Sequence, residues 1–207
     1  GVEVDGVDIS PEMIALCRKK AAQIGLNPNL YVGDMASLDL PRRYQTLIVP
    51  SSSFLHLTEP DAARQALRRF LAHLEPGGTL AMSMRVFEPE PGVDQFELIA
   101  AVERPEDGAQ IQQWFRCWYD SANRLQSTEY RYDVIIDSEL VQTETFTNRP
   151  DLTWYSVPEA IELVKNAGFT DVHAHDNFTF DPAPDQATSF IVLGKKPGPE
   201  QVDQTPN

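Results

Sequence analysis

A chain of 207 residues, 42% hydrophobic and 23% charged, is long enough for one domain with a sizeable core. Its 17 Lys and Arg against 31 Asp and Glu leave a formal charge of −14, which argues against a nucleic-acid partner, because phosphate binding needs clustered cations to displace counterions. No run is apolar for long enough to span a bilayer, so no membrane is expected, and the first residues lack the basic-then-apolar layout of a signal peptide.

The chain opens on a strand-like run, Val2 to Val7, that leads through Asp8-Ile9 into Ser10-Pro11-Glu12. A hydroxyl at the N-cap, proline at the first helical position and an early carboxylate near the positive end of the dipole together start a helix over residues 11–24. Asp8 therefore stands at the carboxyl end of a strand, the edge where open α/β sheets bind ligands, and a carboxylate there can accept from the vicinal hydroxyls of a ribose. A solvated Asp in a turn is the alternative. The helix should turn Met13, Ile14, Cys17, Ala21 and Ile24 to one face and end at Gly25 as a left-handed cap. A short strand over 30–32 then breaks at Gly33-Asp34-Met35, which puts a second acidic residue at a strand's carboxyl end, after a glycine that allows close backbone approach.

Residues 46–49 form an apolar strand of the kind covered on both faces. Pro50 stops it, and Ser51-Ser52-Ser53-Phe54-Leu55-His56 carries the chain along the same edge. Thr58 and Asp61 resemble a capping box ahead of a helix over 60–74 that buries Ala63, Ala66, Leu67, Phe70, Leu71 and Leu74. After the turn Glu75-Pro76-Gly77-Gly78 comes another buried strand, 79–84. This alternation predicts a Rossmann-like, doubly wound α/β fold with a mostly parallel sheet.

Beyond Arg85 the pattern changes. A loop at 88–92 and a weak helical signal over 95–102 precede three strand-like runs, 110–119, 125–136 and 140–147, which predict an antiparallel β insert over about 108–150. In the middle run Tyr130, Tyr132, Val134 and Ile136 alternate with Glu129, Arg131 and Asp133. Ser156 and Glu159 make a full capping box for a helix that ends before Gly168. Strands over 169–175 and 188–194, joined without a crossover helix, should close the sheet antiparallel to each other. The domain thus runs over residues 1–195, and the polar residues 196–207 read as a disordered tail. Cys17 and Cys117 are expected to be reduced core thiols, which suits a cytoplasmic protein.

Together these residues resemble the class I S-adenosylmethionine-dependent methyltransferases, over about 1–84 and 154–195. The likeness rests on Gly6-Val7-Asp8-Ile9-Ser10-Pro11-Glu12-Met13, on Gly33-Asp34-Met35, on Leu74-Glu75-Pro76-Gly77-Gly78-Thr79-Leu80 and on Ala167-Gly168-Phe169. It implies S-adenosyl-L-methionine as cofactor and no metal. Asp8 would hold the ribose, Ile9 and Met13 would wall the adenosine, Asp34 would accept from the adenine amine beside the Met35 backbone, and the backbone at Ser51 would face the methionine part. For Ile9, Met13 and Met35 the competing use is plain core packing. Two departures stand out: Tyr44-Gln45 replaces the acidic residue often found before the fourth strand, and the family's opening strand and glycine-rich loop are missing, so the chain reads as N-terminally incomplete.

Methyl transfer from a sulfonium needs alignment and exclusion of water more than acid–base help. His56 is the candidate base, because it follows a strand on the edge that should face the methyl group and its ordinary pKa suits proton removal. The insert is the candidate lid over a small-molecule acceptor, with Trp118, Tyr119, Tyr130, Tyr132 and Trp154 as binding residues. The alternatives for those rings are packing on the main sheet or a homodimer contact. Two other readings of the whole remain: a non-catalytic binding or assembly module that keeps the fold, and a nicotinamide-dependent oxidoreductase, which would not call for Gly33-Asp34-Met35 or an antiparallel closing pair.

Overall fold

A computed structural model describes residues 2–87 and 94–198; the loop expected at 88–92 and residues 199–207 of the expected tail lie outside them. The chain opens with β1 (Asp5–Asp8), α1 (Pro11–Gln23) and β2 (Asn29–Val32). The helix starts as the sequence implies, with Met13 N donating to Ser10 Oγ at 3.1 Å. It ends at Ile24, with Gly25 at φ +73° and Leu26 N returning to Ala21 O at 2.9 Å, a glycine-closed terminus that needs the left-handed region. β1 and β2 pair in parallel, Asp8 opposite Val32. A Cβ at Gly6 would stand 2.8 Å from Leu30 Cδ2, so a larger residue there would make the Leu30 side chain shift.

The expected apolar face of α1 is corrected in part. Ile14 and Ala21 are buried, but Met13, Cys17 and Ile24 are exposed. The helix packs on β1 and β2, which form a sheet of two strands, and so narrow a support cannot cover a full helical stripe. Only Cys117 is the buried thiol that was expected.

A second sheet has the order β3-β4-β10-β9, from β3 (Tyr44–Val49), β4 (Leu74–Arg85), β9 (Thr170–Asp176) and β10 (Ser189–Lys195). β3 and β4 are parallel, and β10 runs antiparallel to both β4 and β9, as the missing crossover demanded. α2 (Pro60–His73) and α3 (Val157–Asn166) cover it, and the core is built here: Phe54, Leu55, Leu67, Phe70, Leu80, Met82, Val164, Phe190 and Val192 are almost wholly buried. α3 opens on the capping box, Glu159 Oε2 accepting from Ser156 N at 2.9 Å. At α2 the expected box does not form: the N-cap is Glu59, without a side-chain bond, and Asp61 pairs with Arg64 one turn on instead.

The insert is a four-stranded antiparallel sheet in the order β5-β6-β7-β8, from β5 (Glu97–Glu103), β6 (Gln110–Asp120), β7 (Leu125–Ile136) and β8 (Glu139–Thr153). β5 replaces the weak helical signal, because its backbone pairs with β6 from Glu97 opposite Phe115 to Glu103 opposite Gln110. Non-local pairing outweighs a marginal local preference.

Candidate active site at the carboxyl edge

The ends of β1 and β2 are tied together by Gly33 N donating to Asp8 O at 3.0 Å. A Cβ on Gly33 would lie 3.3 Å from Val7 Cγ1, so the glycine lets the two strand ends close up. Asp8 is half-buried, and its Oδ1 accepts from Ser10 N at 2.8 Å. Asp34 repeats the arrangement, its Oδ1 accepting from Ala36 N at 2.8 Å to cap the turn Met35–Ser37. In each carboxylate one oxygen is oriented by the backbone while the other is free, among the described residues, to accept from a ligand. Two fixed acceptors on adjacent strand ends fit a ligand that carries a ribose and an exocyclic amine. Ile9 is 69% exposed and Met13 53% exposed beside them, so neither is spent on the core. Met35 is different: it packs partly against the core cluster.

After β3, Ser51 and Ser52 both take left-handed conformations, at φ 54° and 57°. For residues with a Cβ this costs roughly 1–2 kcal/mol each, and such strain gathers where a backbone must face a ligand. Ser52 N donates to Ser83 Oγ on β4 at 2.8 Å, which holds the turn in place. The sequence showed a serine run here but no sign of the backbone conformation.

The one-turn segment Ser53–His56 buries Phe54 and Leu55 completely and leaves the His56 ring 56% exposed. Its Nδ1 lies 3.1 Å from Asp151 O and 3.2 Å from Asp151 Oδ1 near the end of β8. Asp151 Oδ2 in turn accepts from Thr128 Oγ1 on β7 at 2.6 Å. The carboxylate raises the pKa of His56 above its ordinary 6.5, against the opposing effect of burial. For Asp151 burial pushes upward, but the bonds from His56 and Thr128 outweigh it and hold the carboxyl below its ordinary 3.8. Asp151 and Thr128 escaped the sequence reading, because they come to His56 only through the pairing of β7 with β8.

The five aromatic residues expected to bind the acceptor do not all share one face. Tyr119, Tyr130 and Tyr132 line the face that also bears Thr128 and Cys117, and the Phe115 ring lies tilted against that of Tyr130, with centroids 5.2 Å apart. Trp154 is buried edge-on to Tyr119 at 6.2 Å and to Phe87 at 6.3 Å. Tyr132 lies farther along, against Phe146 and hydrogen-bonded by Gln113. Trp118 points to the opposite face, where Arg116 and Arg149 lie over its ring at 5.0 and 4.5 Å and Arg131 lies over Trp114 at 4.8 Å. Period-two alternation separates Trp118 from Tyr119 by necessity. A cleft of about 400 Å³ between α2 and α3, lined by Arg64, Arg124, Tyr155 and Glu159, shares only Trp154 with these candidates.

Known methyltransferases resemble this chain in sequence and in fold. Residues 1–78 match the family model described as a methyltransferase domain. Over 81 residues the chain is 33% identical to a dTDP-3-amino-3,6-dideoxy-alpha-D-glucopyranose N,N-dimethyltransferase of Streptomyces fradiae, and over 85 residues 40% identical to the aklanonic acid methyltransferase DauC of Streptomyces sp. strain C5. These matches cover 38% and 41% of this chain and 29% and 37% of the relatives, so the match spans about a third of the length of either relative. A crystal structure of an S-adenosylmethionine-dependent methyltransferase from Clostridium acetobutylicum superposes with a TM-score of 0.74 at 16% identity, covering 95% of this chain and 76% of that one.

Proposed function

We propose that this chain, which has the fold of the class I S-adenosylmethionine-dependent methyltransferases and their sequence signature over its first 78 residues, belongs to an enzyme that methylates a small molecule. The observation that carries the reading is the pair of acidic strand ends, Asp8 and Asp34, each held by a backbone N–H and each with an oxygen to spare. Asp8 would take the ribose hydroxyls and Asp34 the adenine amine, with Ile9 and Met13 covering the adenosine, the Met35 backbone at the ring edge and the strained turn at Ser51 facing the methionine part. When bound, the cofactor supplies an electrophilic methyl group on a sulfonium, whose departure leaves the carbon–sulfur electron pair on sulfur. The chain's own residues then have three tasks: to align the acceptor, to exclude water and to take up a proton.

His56 is the proton acceptor in this reading, at Nε2. The face of the insert that carries Tyr119 and Tyr130, with Trp154 beside it, is the acceptor's apolar wall. Tyr132 would extend that wall, while Trp118 on the far face would act on the acceptor only through the sheet. A base has work to do when the attacking atom carries a proton, so an amine or hydroxyl acceptor suits this site better than a carboxylate. The relatives named above include an N,N-dimethyltransferase of an amino sugar nucleotide, which accords with an amine.

Calorimetric titration of S-adenosylhomocysteine into the chain tests the cofactor assignment. The wild type should bind, and Asp8→Ala should weaken binding about tenfold or more, since hydrogen bonds to a charged group contribute about 1.5–3 kcal/mol. Equal affinity of the two would remove Asp8 from the site.

A further inference from the structure

We infer that Asp151, braced by Thr128, is a positioning residue that holds His56 in the one tautomer able to act as a base toward an acceptor. The inference rests on the proposed role of His56 but adds residues that the first 78 positions do not contain. His56 Nδ1 faces two oxygens of the same residue, the Asp151 carbonyl at 3.1 Å and its Oδ1 at 3.2 Å. Both can only accept, so Nδ1 must carry the hydrogen, and the lone pair is left on Nε2. Among the described residues Nε2 has no hydrogen-bond partner, and the ring is more than half exposed. The other end of the carboxylate is fixed by Thr128 Oγ1 at 2.6 Å, and the Asp151 side chain is 11% exposed, so it cannot swing away to solvent cheaply.

His73 shows what the same geometry looks like when it is structural. Its Nδ1 donates to Arg69 O at 2.8 Å and its Nε2 accepts from Leu40 N at 2.9 Å, so both ring nitrogens are used and the ring is buried. His56 has the first bond and lacks the second. The step it can perform is a proton transfer: the N–H or O–H bond of the acceptor breaks, the proton joins Nε2, and the imidazolium so formed is stabilised by Asp151 through Nδ1–H. Among the described residues the titratable group coupled to the pair is Tyr130 on β7, whose pKa is raised by burial first and then by the Asp151 charge.

The test is a ¹⁵N-histidine NMR titration of the full chain, which needs neither cofactor nor acceptor. In the wild type His56 should be in the Nδ1–H form at neutral pH and should titrate above 6.5; in Asp151→Asn, which keeps the backbone carbonyl as an acceptor but removes the charge, its titration should move down toward 6.5. A wild-type ring that is mainly Nε2–H overturns the inference without any variant, even if Asp151→Asn does not fold. A titration unchanged by Asp151→Asn overturns it as well. A failure of S-adenosylhomocysteine to bind would instead count against the cofactor reading, so the two are told apart.

Discussion

Asp5 shows how much one side chain can gather. Its carboxylate, 2% exposed, accepts from Arg42 Nε at 2.9 Å and Arg42 Nη2 at 2.7 Å, from Tyr44 Oη at 2.8 Å and from Asn29 Nδ2 at 3.0 Å. The Arg42 bond is the main reason its pKa falls from 3.8 to about 2, burial acting in the opposite sense. A carboxyl whose folded value is depressed stabilises the fold above its unfolded value, and that contribution is lost as pH drops from 3.8 to about 2. The melting temperature of the wild type should therefore fall more steeply over that interval than that of Asp5→Asn, which should already melt lower at pH 7. Parallel curves for the two proteins would show that Asp5 is not coupled to acid unfolding. In sequence Asp5 looked like any strand-edge acid, three residues before the one that drew notice. Its partners arrive 24 to 39 positions later, which no local pattern reveals.

Among the elements, α3 is the one whose start was written most plainly. Ser156 and Glu159 close the box, and Glu159 also pairs with Arg124 from the turn between β6 and β7, which ties the insert to the helix. Burial raises the Glu159 pKa, but Arg124 and Ser156 outweigh it and bring it to about 2. Ser156→Ala should cost about 0.5–2 kcal/mol, read as a shift of the urea unfolding midpoint with no change of slope. No shift would mean that Pro158 and packing suffice to start the helix. The contrast with α2 is instructive: Thr58 and Asp61 carry a similar spacing, yet Glu59 takes the N-cap position and Asp61 finds Arg64. A capping signal is a short-range preference of about 1 kcal/mol, and a nearby arginine can redirect it.

At the scale of the molecule, stability is unevenly spread. The core cluster is built from β3, β4, β9, β10, α2, α3, the segments before α2 and before β9, and Leu38 ahead of β3, and contains no buried residue from β1, α1 or β2. Hydrogen exchange should accordingly find the amides of α1, β1 and β2 opening well before those of β4 and β10. Arg42→Ala should widen that gap, because Asp5, Arg42 and Tyr44 bridge the two-stranded sheet and β3, which belong to separate sheets. Uniform protection across both sheets would refute this division. Asp8, Ile9, Met13 and Asp34, four of the candidate cofactor residues, lie on the weaker part, so ligand binding there should slow exchange in β1 and β2 most.

The alternation of apolar strands with capped helices, the glycine that ends α1 and the acids at two strand ends were legible because each depends on residues within a few positions of one another. That was enough to place the fold and to single out Asp8, Asp34 and His56. What lay beyond the sequence was set by partners far apart in the chain. β5 is a strand because β6 is beside it, Met13 is exposed because its sheet is narrow, and Trp118 parts from Tyr119 across a pleat. Asp151 reaches His56 from the stretch of β8 where its register with β7 shifts, between the pairs Gln126–Leu152 and Thr128–Asn148. Local propensity is worth tenths of a kcal/mol per residue, whereas sheet pairing and burial are worth more and are decided between distant segments, so only the tertiary structure could settle them.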